Sequence, residues 1–145
     1  MKEQVPYGER YWYDHMKPAD IKIWEEFMRQ NISAYDTCIY DQEVGEGAPI
    51  PENTEPNMAH DFKILTQYKI DVIGFKNDRI DIIEIKPRAG MLAIGQVLGY
   101  VALFKKEFSP AVNVTPVIIT DVIRPDMLNL TKAQGIKIYA VDLLK

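Results

Sequence analysis

Asp71, Glu84 and Lys86 are the residues whose types and spacing first suggest chemistry. They lie in two strand-like runs, Gln67 to Lys76 and Arg79 to Lys86, with only Asn77 and Asp78 between them. Asn and Asp tolerate the left-handed backbone that a two-residue hairpin turn requires. Such a turn pairs Lys76 with Arg79, so Asp71 falls opposite Glu84. Period-2 alternation then puts both acids on one sheet face with Lys86, over a floor that includes Ile73 and Ile82. Directly opposed carboxylates repel and destabilise a sheet. A hard divalent cation, Mg²⁺ or Mn²⁺, compensates naturally, because Mg²⁺ binds through one or two carboxylates and fills its other positions with water and substrate phosphate. Such an ion polarises a phosphoryl oxygen and lowers the pKa of a bound water. The Lys86 ammonium is a compact charge suited to orienting that water or stabilising developing negative charge. In outline, this is a phosphodiester-hydrolysis site.

The elements around the hairpin extend the set. Met91 to Phe108 reads as a helix whose side chains up to Phe104 are apolar except Gln96 and the Tyr100 hydroxyl. These two are spaced i, i+4 and share a face. Tyr100 can stack on or hydrogen-bond a nucleotide; Gln96 can hydrogen-bond a phosphate or hold Lys86 in place. A helix apolar nearly all round is buried on several sides or sits in an interface. An earlier helix starts at Pro18 and carries Ile21, Trp24 and Met28 at helical spacing to about Asn31. Glu25 borders that stripe and is the candidate for an extra metal-site carboxylate, while Glu26 points further towards solvent. Strand-like Thr37 to Tyr40 follows, and then residues 44–60, rich in Gly and Pro, read as a long irregular loop. After the hairpin and its helix come a buried strand, Val112 to Thr120, a helix from Arg124 to Gln134 and an alternating strand, Ile136 to Val141. The order α, β, β, β, α, β, α, β predicts an α/β fold with a mixed central sheet flanked by helices.

The combination of Asp71, then Glu84-Ile85-Lys86 at the end of the next strand, then Gln96-Val97-Leu98-Gly99-Tyr100 on the following helix resembles the PD-(D/E)XK nuclease superfamily. The Gln-x-x-x-Tyr element is similar to its RecB-like exonuclease branch. The resemblance spans roughly residues 18–142 and implies a restriction-endonuclease-like αβββαβ core. It implies Mg²⁺ bound by Asp71 and Glu84, often joined by a first-helix glutamate, here Glu25, and an attacking water assisted by Lys86. The branch motif falls on Gln96 and Tyr100. The chain departs from the pattern in having Ile70, not proline, before Asp71. It is also shorter than most RecB-like enzymes, which suits a small, oligomeric nuclease better than a processive exonuclease.

Each signal has a plainer reading. Glu-x-Lys alone is usually a solvated ion pair, and it is the aligned Asp71 that sets this one apart. Asp81 falls on the opposite face with Ile83 and Ile85 and reads as hydrogen-bonded, not as a ligand. Arg88, Lys105 and Lys106 read as solvated charges or phosphate contacts. His15 and His60 fit no metal spacing, and Cys38 reads as a small buried residue. Tyr11-Trp12-Tyr13 reads as a core plug or a docking surface.

The whole chain sets bounds. Its 145 residues are predicted to form one domain, with 1–17 as an N-terminal extension. No run approaches the ~20 apolar residues of a membrane span, no secretory signal is evident, and one cysteine excludes an internal disulfide framework. The expected compartment is therefore the cytoplasm of a bacterium or of a phage-infected host, with a virion as the alternative. Net charge is −4, which argues against coating nucleic acid by bulk charge. Residues 1–60 carry 5 Lys+Arg against 12 Asp+Glu, whereas residues 61–106 carry 8 against 5, so the basic part coincides with the candidate site. The expected partners are DNA and either a second copy or another protein. The leading expectation is a metal-dependent deoxyribonuclease. The alternative is an inert nuclease-fold docking or structural subunit of a phage particle or DNA-processing assembly.

Overall fold

The hairpin is the organising element of the computed structural model, which describes residues 1–143. Asn77 takes the left-handed conformation, at φ 51°. The flanking strands, β3 (Tyr68–Lys76) and β4 (Arg79–Ile85), pair antiparallel in the expected register, from Lys76–Arg79 to Val72–Ile83. They sit at the centre of one six-stranded sheet in the order β1-β2-β3-β4-β5-β6. Strands β1 (Val5–Pro6) and β2 (Thr37–Val44) continue it antiparallel on one side. Strands β5 (Asn113–Thr120) and β6 (Lys137–Ala140) continue it parallel on the other. The sheet is mixed, as expected, because a hairpin needs only two turn residues, whereas parallel neighbours need helical crossovers.

Among the described residues, three of the four helices open on a proline, whose fixed φ suits the first turn. Helix α1 (Pro18–Gln30) buries Ile23, Trp24, Phe27 and Met28 against one sheet face, together with Val72, Ile83, Ile85 and Val117. Helix α3 (Met91–Phe108) buries Ala93, Val97, Tyr100, Val101 and Phe104 against the other, where Ile39, Ile73, Ile82 and Ile118 meet it. Helix α4 (Pro125–Ala133) adds Met127 to that second core. The N-terminal extension is docked: Val5 pairs with Cys38, and Tyr13 and Met16 are buried, while Tyr11 and Trp12 face solvent.

One expectation needs correcting. The stretch 44–60 is not irregular throughout, because α2 (Pro56–Thr66) begins inside it. None of its residues is buried, so no apolar stripe marks it in the sequence. Its C-terminal end is tied down by polar bonds instead: the Ala48 N–H donates to Thr66 Oγ1, and Gln67 Nε2 donates to the Gly45 carbonyl.

Candidate active site

The sheet is interrupted where the acids sit. The β2–β3 register runs from Thr37–Phe75 to Val44–Tyr68 but skips the position at which Asp41 and Asp71 would face each other. Asp41 is left-handed there, at φ 55°. Strict alternation would send Ile70 to the same core as Val72, yet Ile70 packs on the α3 side and Val72 on the α1 side. The β3–β4 ladder also stops at Val72–Ile83. Past that point the Asp71 carboxylate replaces a backbone partner, accepting the Ile85 N–H at 2.9 Å.

Asp71 and Glu84 thus come together at the mouth of the hairpin, within hydrogen-bonding reach of each other. Burial pushes both carboxyl groups well above the ordinary carboxylate range, and for Glu84 the charge of Asp71 adds to it. Glu84 is only 6% exposed, and with both groups ionised its Oε2 has no hydrogen-bond partner. A shared proton, an ordered water or a cation would satisfy it.

The pair lines a cleft of about 330 Å³ with Lys17, Ala19, Asp20, Ile85, Lys86 and Pro87. Lys86 is exposed at its rim, and its charge acts on Glu84 and Asp20. The sequence reading did not identify Lys17 and Asp20. They enter because α1 starts here, with Lys17 at its N-cap and Asp20 in its first turn. Asp20 reaches back to the Lys17 N–H in the manner of a capping box, and burial pushes its pKa up. Its position three residues after the N-cap was the available signal.

Glu25, expected as the first-helix carboxylate, is not in this cleft. Its charge acts instead on Tyr13 of the N-terminal extension. Five residues on a helix turn the side chain by about 140° and move it about 7.5 Å along the axis, so Asp20 and Glu25 cannot serve the same spot. Gln96 and Tyr100 line a neighbouring groove over α3. Burial raises the Tyr100 pKa, and the charges of Glu84 and Asp71 raise it further, which puts its hydroxyl within their electrostatic reach. The Gln96 Oε1 is buried without a hydrogen-bond partner. The loop carrying the chain from β4 to α3 is pinned to the end of β5: the Arg88 N–H donates to Asp121 and the Ala89 N–H to Thr120 Oγ1.

Among the described residues, no three His, Cys, Asp or Glu side chains gather into a metal-binding group. The donor set is two buried carboxylates with one unpartnered oxygen. This fits a hard cation that takes its remaining ligands from water and substrate. No helix among the described residues is long and apolar enough to cross a membrane.

No family model matches the sequence, and no curated protein matches it. Solved structures do. A repair endonuclease from Pyrococcus abyssi superposes with a TM-score of 0.53 at 15% identity, over 89% of this chain and 49% of that one. EndoMS, solved in complex with dsDNA, gives 0.53 at 15% identity, over 95% of this chain and 50% of that one. The chain spans about half the length of each. With its mixed sheet, central hairpin and crossover helix, it has the restriction-endonuclease-like α/β fold of these endonuclease chains.

Proposed function

We propose that this chain is a metal-dependent nuclease that hydrolyses DNA phosphodiester bonds. The observation that carries the reading is the buried Asp71–Glu84 pair, which has an unpartnered Glu84 Oε2 and lines a cleft edged by Lys17 and Lys86. A purely structural sheet gains nothing from opposing two buried acids.

Asp71 and Glu84 would hold Mg²⁺ or Mn²⁺. When bound, such an ion supplies charge stabilisation at a phosphoryl oxygen and a more acidic water. The chain's own groups do the rest. Asp71 fixes the hairpin mouth through the Ile85 N–H and so keeps both carboxylates in place. Lys86 presents an ammonium at the rim, where it orients the attacking water or stabilises the developing negative charge. Lys17 adds a second cation for a phosphate across the cleft. Gln96 and Tyr100, on the adjacent helix, match the RecB-like motif and border the substrate path. Structural likeness to a repair endonuclease and to a dsDNA-bound EndoMS supports DNA as the substrate.

The test is cleavage of circular single-stranded and duplex DNA and of linear DNA, with Mg²⁺ or Mn²⁺ against EDTA. Metal-dependent cutting that is lost in Glu84→Gln is the expected result. Folded wild-type protein that cuts none of these would transfer the assignment to a docking or structural role.

A further inference from the structure

We infer that the groove over α3 is a shelf for one unstacked nucleotide of a single DNA strand, with Gly95 and Gly99 as its floor and Tyr68 as its stacking wall. The inference rests on the nuclease reading and deepens it by naming the form of the substrate.

The glycines are the first observation. They lie one turn apart in the middle of an 18-residue helix. Glycine costs roughly 1 kcal/mol against alanine in a helix interior. Nothing among the described residues requires that cost, because a Cβ added at either position would meet none of their atoms within 4 Å. The close approach that they permit is to something outside the chain.

A second, independent observation is Tyr100. It is only 9% exposed, yet it lines the groove, and no hydrogen bond among the described residues engages its hydroxyl. The same hydroxyl lies within electrostatic reach of Asp71 and Glu84, which line the neighbouring cleft. The Gln96 Oε1, buried and unpartnered, lies on the same wall.

The chemistry of the groove selects the occupant. It measures about 410 Å³ and is lined by Tyr68, Met91, Leu92, Leu103, the two glycines, Gln96 and Tyr100, with no Lys, Arg, Asp or Glu. A phosphate backbone, single or duplex, is followed by cations, and none lines this groove, so the groove suits a base and not a backbone. An unstacked base needs an apolar and aromatic surface with a few hydrogen-bonding groups. Tyr68 offers an exposed ring (63%) with its centroid 6.3 Å from that of Tyr100.

The test measures binding apart from cutting, using a fluorescent single-stranded oligonucleotide and its duplex on Glu84→Gln protein. The single strand should bind at least about tenfold more tightly than the duplex. Gly99→Leu should raise the thermal midpoint, because leucine is the better helix former, and still weaken single-strand binding at least about tenfold. Tyr68→Ala should weaken it roughly five- to a hundredfold, the range of base–aromatic stacking. Duplex preference, or unchanged affinity in both variants, would overturn the shelf. So would a Gly99→Leu protein that loses an oligomer in light scattering but keeps its DNA affinity, since the groove would then be a protein interface. Wild-type cleavage measured alongside separates the two ideas. Cutting with shelf-independent binding sinks the shelf alone, and shelf-dependent binding without cutting sinks the nuclease reading alone.

Discussion

At the scale of single residues, Glu84 is held at a cost that a cation or a proton relieves. Its pKa, like that of Asp71, is raised by burial. Between the unfolded value and the raised folded value, the native state keeps a proton that the unfolded chain has lost, so stability falls as pH rises through that window. Without divalent ions, the thermal midpoint should therefore decline from about pH 5 towards pH 8. Glu84→Gln should flatten that decline and raise the midpoint at pH 8 by several degrees, since ~1 kcal/mol moves it by roughly 2–8 °C in domains near this size. Mg²⁺ should raise the wild-type midpoint at pH 8 and leave Glu84→Gln unmoved. Scanning calorimetry across pH reads all three, and a pH-independent wild-type midpoint would show that the pair is not strained. A second comparison separates the two first-helix acids. Glu25→Gln should leave cleavage within about twofold. Asp20→Asn should lower it by about tenfold, the rate equivalent of one charge-assisted contact. Equal rates would remove Asp20 from the site. That Asp71, Glu84 and Lys86 come together was legible in the sequence because hairpin register is plain arithmetic once the turn is known. Asp20 was not, because the face that α1 presents to the cleft depends on where the helix docks on the sheet.

Elements show the same division between local and long-range information. Helix α3 was legible to the residue, Met91 to Phe108, because its composition alone demands burial. Helix α2 was not, because it buries no residue and its end is fixed by Thr66 and Gln67 bonding to the 45–48 segment. The interruption of β2 and β3 at Asp41 and Asp71 was also hidden, since it arises from pairing between strands about 30 residues apart in sequence. The far end of the hairpin is where a prediction about the element belongs. Tyr35 donates its hydroxyl to Asp81 at 2.7 Å, and Asp81 pairs with Arg79 at 3.2 Å. The Tyr35 ring lies across Gly74, so a Cβ there would come within 2.5 Å of it. The ring cannot swing aside without giving up the buried Asp81. Gly74→Ala should therefore cost about 1–3 kcal/mol of overpacking, read as a lower urea midpoint with unchanged slope. Combining it with Tyr35→Leu should be non-additive, because the two positions share one contact. Additive costs would mean that the ring yields freely.

For the whole molecule, the deciding quantity is how little positive charge meets the substrate. The chain carries net −4, and its N-terminal third is strongly acidic. The cleft offers two cations, Lys17 and Lys86, and the groove beside it offers none. Binding that relied on bulk charge would be steep in salt, because each neutralised phosphate of a single strand contributes about −0.7 to the slope of log K against log salt. Two phosphate contacts predict a slope near −1.4. Lys17→Ala and Lys86→Ala should each reduce its magnitude by about 0.7, while Tyr68→Ala should weaken binding without changing it, because stacking releases no counterions. Titrations of Glu84→Gln protein without divalent ions, at several salt concentrations, measure all of these. A slope beyond about −4 would require a broad cationic face elsewhere, with Arg88, Lys105 and Lys106 the first residues to test. A slope near the predicted value ties affinity to the cleft and groove, where two lysines position the backbone and an apolar shelf holds the base.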